Sequence, residues 1–137
     1  MRYLVESFAV GALTRGRSVE QFLGHAGGAH ASGVRWVEVV PTGSRFKVVL
    51  HTSADVGSED FCDLVEFPPL DPENEDAEFG LEIAMATGAH DALSLAERRT
   101  GAVRGRWVNQ GMAQDEYRDF VLAGRPARCI SEPGAGG

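Results

Sequence analysis

Thirteen carboxylates stand between Lys47 and Arg98 with no lysine or arginine among them: Asp55, Glu59, Asp60, Asp63, Glu66, Asp71, Glu73, Glu75, Asp76, Glu78, Glu82, Asp91 and Glu97. Acids in such numbers could do three things: move protons, ligate a hard cation, or attract a basic partner. Proton transfer needs one carboxyl held in an apolar setting that raises its pKa. Asp63 and Glu66, set among Phe61, Leu64, Val65 and Phe67, are the candidates of that kind. The commoner use of such acids is the wet face of an antiparallel strand. For calcium, the run from Asp71 would need glycine at its sixth place and glutamate at its twelfth; Asp76 and Glu82 stand there, so only part of the pattern is met.

The remaining chemistry-bearing residues are scattered. His25, His30, His51 and His90 have no His or Cys neighbour at the spacing that puts two ligands on one helix face, and no metal site is assigned. Cys62 and Cys129 form no C-x-x-C pair and read as separate thiols. Neither a G-x-S-x-G elbow, nor G-x-G-x-x-G, nor a P-loop occurs. No catalytic residue and no cofactor is assigned, and a non-enzymatic protein is the expectation.

Electrostatic capture remains. The chain holds 13 basic and 20 acidic residues, a net charge of −7 and a pI near 5.0. That balance argues against nucleic acid, whose phosphates draw cationic surfaces. Crowded carboxylates attract cationic partners instead. The candidate contacts are Asp55, Glu59 and Asp60, the loop acids Asp71, Glu73, Glu75, Asp76 and Glu78, and the aromatic residues Trp107 and Tyr117. Trp and Tyr are enriched at interface centres. Core packing is the competing use of Trp107.

These residues need elements to position them. A chain of 137 residues suits one domain, expected over residues 1–130 with a tail at 131–137 that lacks core-forming residues. Residues 3–13 read as a strand. Ser18-Val19-Glu20-Gln21 reads as a capping box opening a short helix that ends at Gly24, with a loop over 24–33 holding His25 and His30. Residues 34–40 and 46–52 alternate as a hairpin with a loop of four residues or more. Residues 61–67 read as a third strand ended by Pro68 and Pro69, and 81–86 as a fourth. Ala89, Ala92, Leu93 and Ala96 recur at helical spacing before Gly101, and a last helix covers 113–123. Strands first and helices after predict an α+β fold: a mostly antiparallel sheet of four to five strands with two to three helices packed on one face.

No run reaches the ~20 apolar residues of a membrane span, and no signal-peptide core is present. A cytoplasmic protein with no membrane partner is expected. In size, α+β order and acidic middle the chain resembles the immunity proteins that bacteria co-express with secreted toxins. The tracts to compare are Asp63-Leu64-Val65-Glu66-Phe67-Pro68-Pro69-Leu70-Asp71 and Trp107-Val108-Asn109-Gln110-Gly111. The resemblance implies tight binding to a basic protein partner, a toxin, with carboxylates standing where phosphates would. The alternative is a small enzyme or ligand-binding domain whose pocket between sheet and helices uses His51, Asp63 or Glu66.

Overall fold

The computed structural model describes residues 2–26, 33–68 and 80–126. Its elements are α1 (Glu6–Thr14), β1 (Val19–Ala26), β2 (Gly33–Thr42), β3 (Arg45–Ala54), β4 (Leu81–Ala86), α2 (Ala89–Thr100), β5 (Val108–Asn109) and α3 (Ala113–Leu122). The five strands form one antiparallel sheet in the order β4-β3-β2-β1-β5. The fold is α+β, as the order of elements predicts. No described helix is long and apolar enough to cross a membrane.

Alternation along the strands divides the core in two. Val19, Val37, Val39 and Val48 point to one face, where Ala9, Ala12 and Leu13 of α1 and Ala92, Leu93 and Ala96 of α2 cover them. Phe22, Val34 and Trp36 point to the other, where Tyr117 and Phe120 of α3 pack with Leu64 and Phe67. Alanines at the helix contacts let α1 and α2 approach the sheet closely. Gly101, at φ +81, then ends α2 in the left-handed conformation that glycine adopts without steric penalty.

The first twenty-six residues correct the reading from sequence. Residues 3–13 hold a helix in place of a strand, because Ala9, Ala12 and Leu13 bury one side at helical spacing while Phe8 is left 65% exposed. The stretch with the capping-box pattern is β1, a strand flanked by β2 and β5. Tertiary bonds claim the glutamine that would have closed the box and the glutamate beside it. Gln21 accepts from the Val103 N–H at 2.8 Å and donates to the Val103 carbonyl at 3.1 Å, and Glu20 accepts from the Ala113 N–H at 2.9 Å. His25 thus lies in a strand and not in a loop.

Two further expectations change. The hairpin turn is two residues, Gly43-Ser44, shorter than expected; Gly43 has φ +61, the glycine-first pattern of a type II′ turn. Residues 61–67 form no strand but a 3-10 turn at Leu64–Glu66. Leu64 and Phe67 are buried three apart, the 3-10 period, while Val65 between them is 71% exposed. Strand 81–86 and the helices at 89–100 and 113–122 stand where their patterns place them. The loop acids Asp71, Glu73, Glu75, Asp76 and Glu78, together with His30, Cys129 and the tail at 131–137, lie outside the described residues.

Candidate functional site

On the face of the sheet away from α1 and α2, antiparallel register sets acids where a core would otherwise continue. Glu20 of β1 stands directly opposite Glu38 of β2, and Trp36 opposite His51 of β3. Glu38 Oε1 lies 2.5 Å from His51 Nε2, and the imidazole stacks on the Trp36 indole with centroids 3.9 Å apart and planes 11° from parallel. Glu38 and His51 are both largely buried. The 3-10 turn and the start of α3 rise on either side, leaving a cleft of about 200 Å³ walled by Glu20, Trp36, Glu38, Asp63, Gln110 and Gln114.

Glu20 is the most constrained of these groups. It is 4% exposed, and it supplies what α3 lacks: Met112, at the N-cap position, makes no side-chain cap, and the Glu20 carboxylate accepts the orphan Ala113 N–H in its place. Burial raises its pKa above the usual carboxylate range. The Ala113 and Gly111 N–H groups and His51 oppose that rise, and Glu38 adds to it.

A carboxyl whose folded pKa exceeds its unfolded one favours folding when protonated. The contribution is complete below the ordinary range and is lost as pH rises through the raised value. Glu20→Gln keeps an acceptor for Ala113 and removes the buried charge. The variant should therefore melt at a higher temperature than the wild type at about pH 7, with the difference vanishing near pH 4, where an ordinary glutamate protonates. A lower melting temperature at both pH values would contradict this account.

Beside the cleft, and sharing Asp63 and Gln114 with it, lies a shallower depression of about 350 Å³ edged by Glu59, Asp60, Cys62, Asp115 and Arg118. The Cys62 thiol donates to the Ser58 carbonyl at 3.0 Å, and burial raises its pKa. Among the described residues, no three of His, Cys, Asp and Glu converge to hold a metal.

Five carboxylates are held by arginines. Arg104 takes Glu6 and Glu97, Arg2 takes Glu116 and Asp119, and Arg125 takes Asp55. Eight have no basic side chain within salt-bridge distance among the described residues: Glu20, Glu59, Asp60, Asp63 and Asp115, which line the cleft or the depression next to it, and Glu66, Glu82 and Asp91, which line neither.

The partner-contact candidates separate accordingly. Glu59 and Asp60 are exposed at the rim. Three others are corrected. Trp107 and Tyr117 are 0% exposed core residues with no surface to offer. The Asp55 side chain, 4% exposed, is a structural tie: the Tyr117 hydroxyl donates to it, as does Arg125 Nε at 2.9 Å. Burial and then that bond push the Tyr117 pKa up to about 12. Of the acid–base candidates, Asp63 lines the cleft and His51 reaches it through Glu38, whereas Glu66 is exposed and is not among the lining residues.

Reading the sequence missed Glu20, Trp36, Glu38, Gln110 and Gln114. The signal for two of them was present: Glu20 and Glu38 are lone acids inside apolar strands, an expensive placement unless something uses it. No protein-family model matches the chain, and no curated protein or solved structure matches it either.

Proposed function

We propose that the chain is a non-enzymatic binding protein whose acidic concave face takes a basic protein, with toxin neutralisation as the version its immunity-protein resemblance suggests. The observation that carries this reading is the division of the carboxylates. Of the acids elsewhere, Glu6, Asp55, Glu97, Glu116 and Asp119 are matched by arginines while Glu66, Glu82 and Asp91 are not, whereas around the cleft and its neighbour no acid meets an arginine or lysine among the described residues and Glu38 alone meets a histidine. Unpaired like charges on one face repel each other and raise the local concentration of a cationic partner, which speeds encounter at low salt.

The test is affinity capture from the native host at a series of salt concentrations, with wild type beside a Glu59→Lys, Asp60→Lys, Asp63→Lys variant. A basic protein should be retained at low salt and released as salt rises. The triple reversal should weaken retention by about a hundredfold, since like charges placed across an interface cost several kcal/mol. Retention indifferent both to salt and to charge reversal would refute the proposal.

A second reading, an acid–base site for a small molecule, is favoured by one observation: the Glu38–His51 pair stacked on Trp36 beside a carboxyl with a raised pKa. It would prevail if a small ligand stabilised the wild type but not His51→Ala, while no protein was captured.

A further inference from the structure

We infer that the two adjoining hollows between the 3-10 turn and α3 receive an amphipathic basic segment of a protein partner, whose apolar side chains seat on Val65 and Phe61 while its basic side chains meet the acids at the rim. The inference rests on the protein-binding reading above and names the kind of segment that face takes.

The 3-10 turn explains why apolar surface is left outside. Leu64 and Phe67 use its period to reach the core, and Val65 between them is turned out, 71% exposed, on the wall of the cleft. Four residues earlier, Phe61 is 41% exposed on the wall of the neighbouring depression. Asp63 and Gln114 border both hollows, so the two apolar side chains flank one continuous surface. The deeper acids of the cleft are already engaged: Glu20 accepts from Ala113, and Glu38 meets His51. The exposed lining that remains is Val65 with Asp63 and the amides of Gln110 and Gln114. One exposed valine needs no explanation, but an apolar pair bordered by uncompensated charge has the anatomy of an interface, an apolar centre inside a polar rim.

The charge at the rim selects the occupant. Glu59, Asp60, Asp63 and Asp115 edge the hollows, Glu66 follows Val65 in the turn, and none of the five has a basic partner among the described residues. Among the described residues Arg118 is the one cation in either lining. A second copy of the chain would set these acids against themselves, since a two-fold contact presents the same patch from both sides. An anionic membrane or a nucleic acid is repelled in the same way. A segment carrying both apolar and basic residues satisfies the whole surface: burial against Val65 and Phe61 slows its departure, and its charge speeds its arrival. At about 200 Å³ the cleft admits one such side chain and not a whole helix, which is about 10–12 Å across.

The probes are three short peptides of equal length: an amphipathic lysine–leucine peptide, the same peptide with serine for every leucine, and the same with glutamate for every lysine. Binding to the full chain is followed by surface plasmon resonance over a salt series and by the amide resonances of the ¹⁵N-labelled protein. The lysine–leucine peptide should bind saturably and shift amides in residues 59–66 and 110–118, which carry the linings. The lysine–serine peptide, of equal charge, should bind about tenfold more weakly or worse, and the glutamate–leucine peptide should not bind. Val65→Ser changes an exposed position and should leave the melting temperature in place. It should speed dissociation of the lysine–leucine peptide about tenfold with little change in association. Glu59→Lys, Asp60→Lys should do the reverse, slowing association and flattening its salt dependence. Phe61→Ser should act as Val65→Ser does, but Phe61 also packs on Phe67 with ring centroids 5.1 Å apart, so the Val65 variant decides.

Equal binding of the lysine–leucine and lysine–serine peptides, an unchanged dissociation rate in Val65→Ser, or shifts confined to another face would each overturn the inference. So would dimerisation of the chain that Val65→Ser abolishes, which would name a second copy as the occupant. The two proposals fail separately. Equal binding of the two lysine peptides beside intact, salt-sensitive capture removes the apolar anchor and leaves the docking face. Val65-dependent peptide binding without any captured host protein removes the docking of a host protein and leaves the surface as a receptor for amphipathic basic peptides.

Discussion

Trp107→Ala should destabilise the protein by about 3–5 kcal/mol, the range for truncating a buried large aromatic. Set against the 5–15 kcal/mol of a typical domain, that is a large fraction of the total. Trp107 has no exposed surface and packs with the alanines of α1 and α2. Those neighbours are too small to swing into the space left behind, so the cavity would persist. The side chain is also a strut: Trp107 Nε1 donates to Glu97 at 3.0 Å, and Arg104 grips the same carboxylate at 2.6 and 2.8 Å while reaching Glu6 of α1. The main-chain carbonyl of Trp107 also accepts from the Leu4 N–H at 2.8 Å. Trp107→Phe keeps much of the volume and loses one hydrogen bond, so it should cost markedly less. Urea unfolding of the two variants provides the measurement. Equal and small losses would show that Trp107 is not the centre of this core, and would return it to consideration as a contact residue.

Gly57→Ala is expected to damage both stability and the site. A Cβ there would sit 2.4 Å from the Phe61 carbonyl oxygen, 2.5 Å from Phe67 Cζ and 2.7 Å from Tyr117 Cε2. None of the three can yield cheaply. The carbonyl accepts from Ser58 N–H in a tight turn, and the two rings meet edge to face with centroids 5.1 Å apart. Overpacking of this kind costs about 1–3 kcal/mol and sometimes more. Relief must come from lifting the segment that carries Glu59, Asp60 and Asp63. The variant should therefore lose salt-sensitive partner capture to a greater degree than its melting temperature alone explains, when compared with a core variant of matched stability such as Val39→Ala. Capture equal to that of the matched variant would mean that the segment keeps its place, and that the cleft does not depend on this close approach.

Legibility in the sequence followed the range of the interactions involved. The helix at 89–100 was readable because its apolar spacing, its acid and basic ends and its terminal glycine are all local. The hairpin strands and 81–86 were readable for the same reason. Around Val19 the local signals were present but lost to tertiary ones: an eight-residue strand bonded on both sides outweighs a two-bond capping box, and Glu20 and Gln21 gain partners from residues 113 and 103. At 61–67 the apolar composition suggested a strand. Its pairing edge went elsewhere, since β4 occupies the place beside β3 and residues 61–67 fold as a turn beneath α3.

The chain by itself determined the α+β class, the segregation of charge and the absence of familiar catalytic motifs, because composition, period and spacing carry those directly. Which acids stand together was decided only by tertiary structure. Glu20, Glu38 and Asp63 are eighteen or more positions apart in sequence; strand register and one 3-10 turn bring them around Trp36. The same folding withdrew Asp55, Trp107 and Tyr117 from the surface by giving each a buried partner. Charge is a property of residues and can be counted along a chain; an unpaired charge is a property of neighbours, and neighbours exist only once the chain has folded.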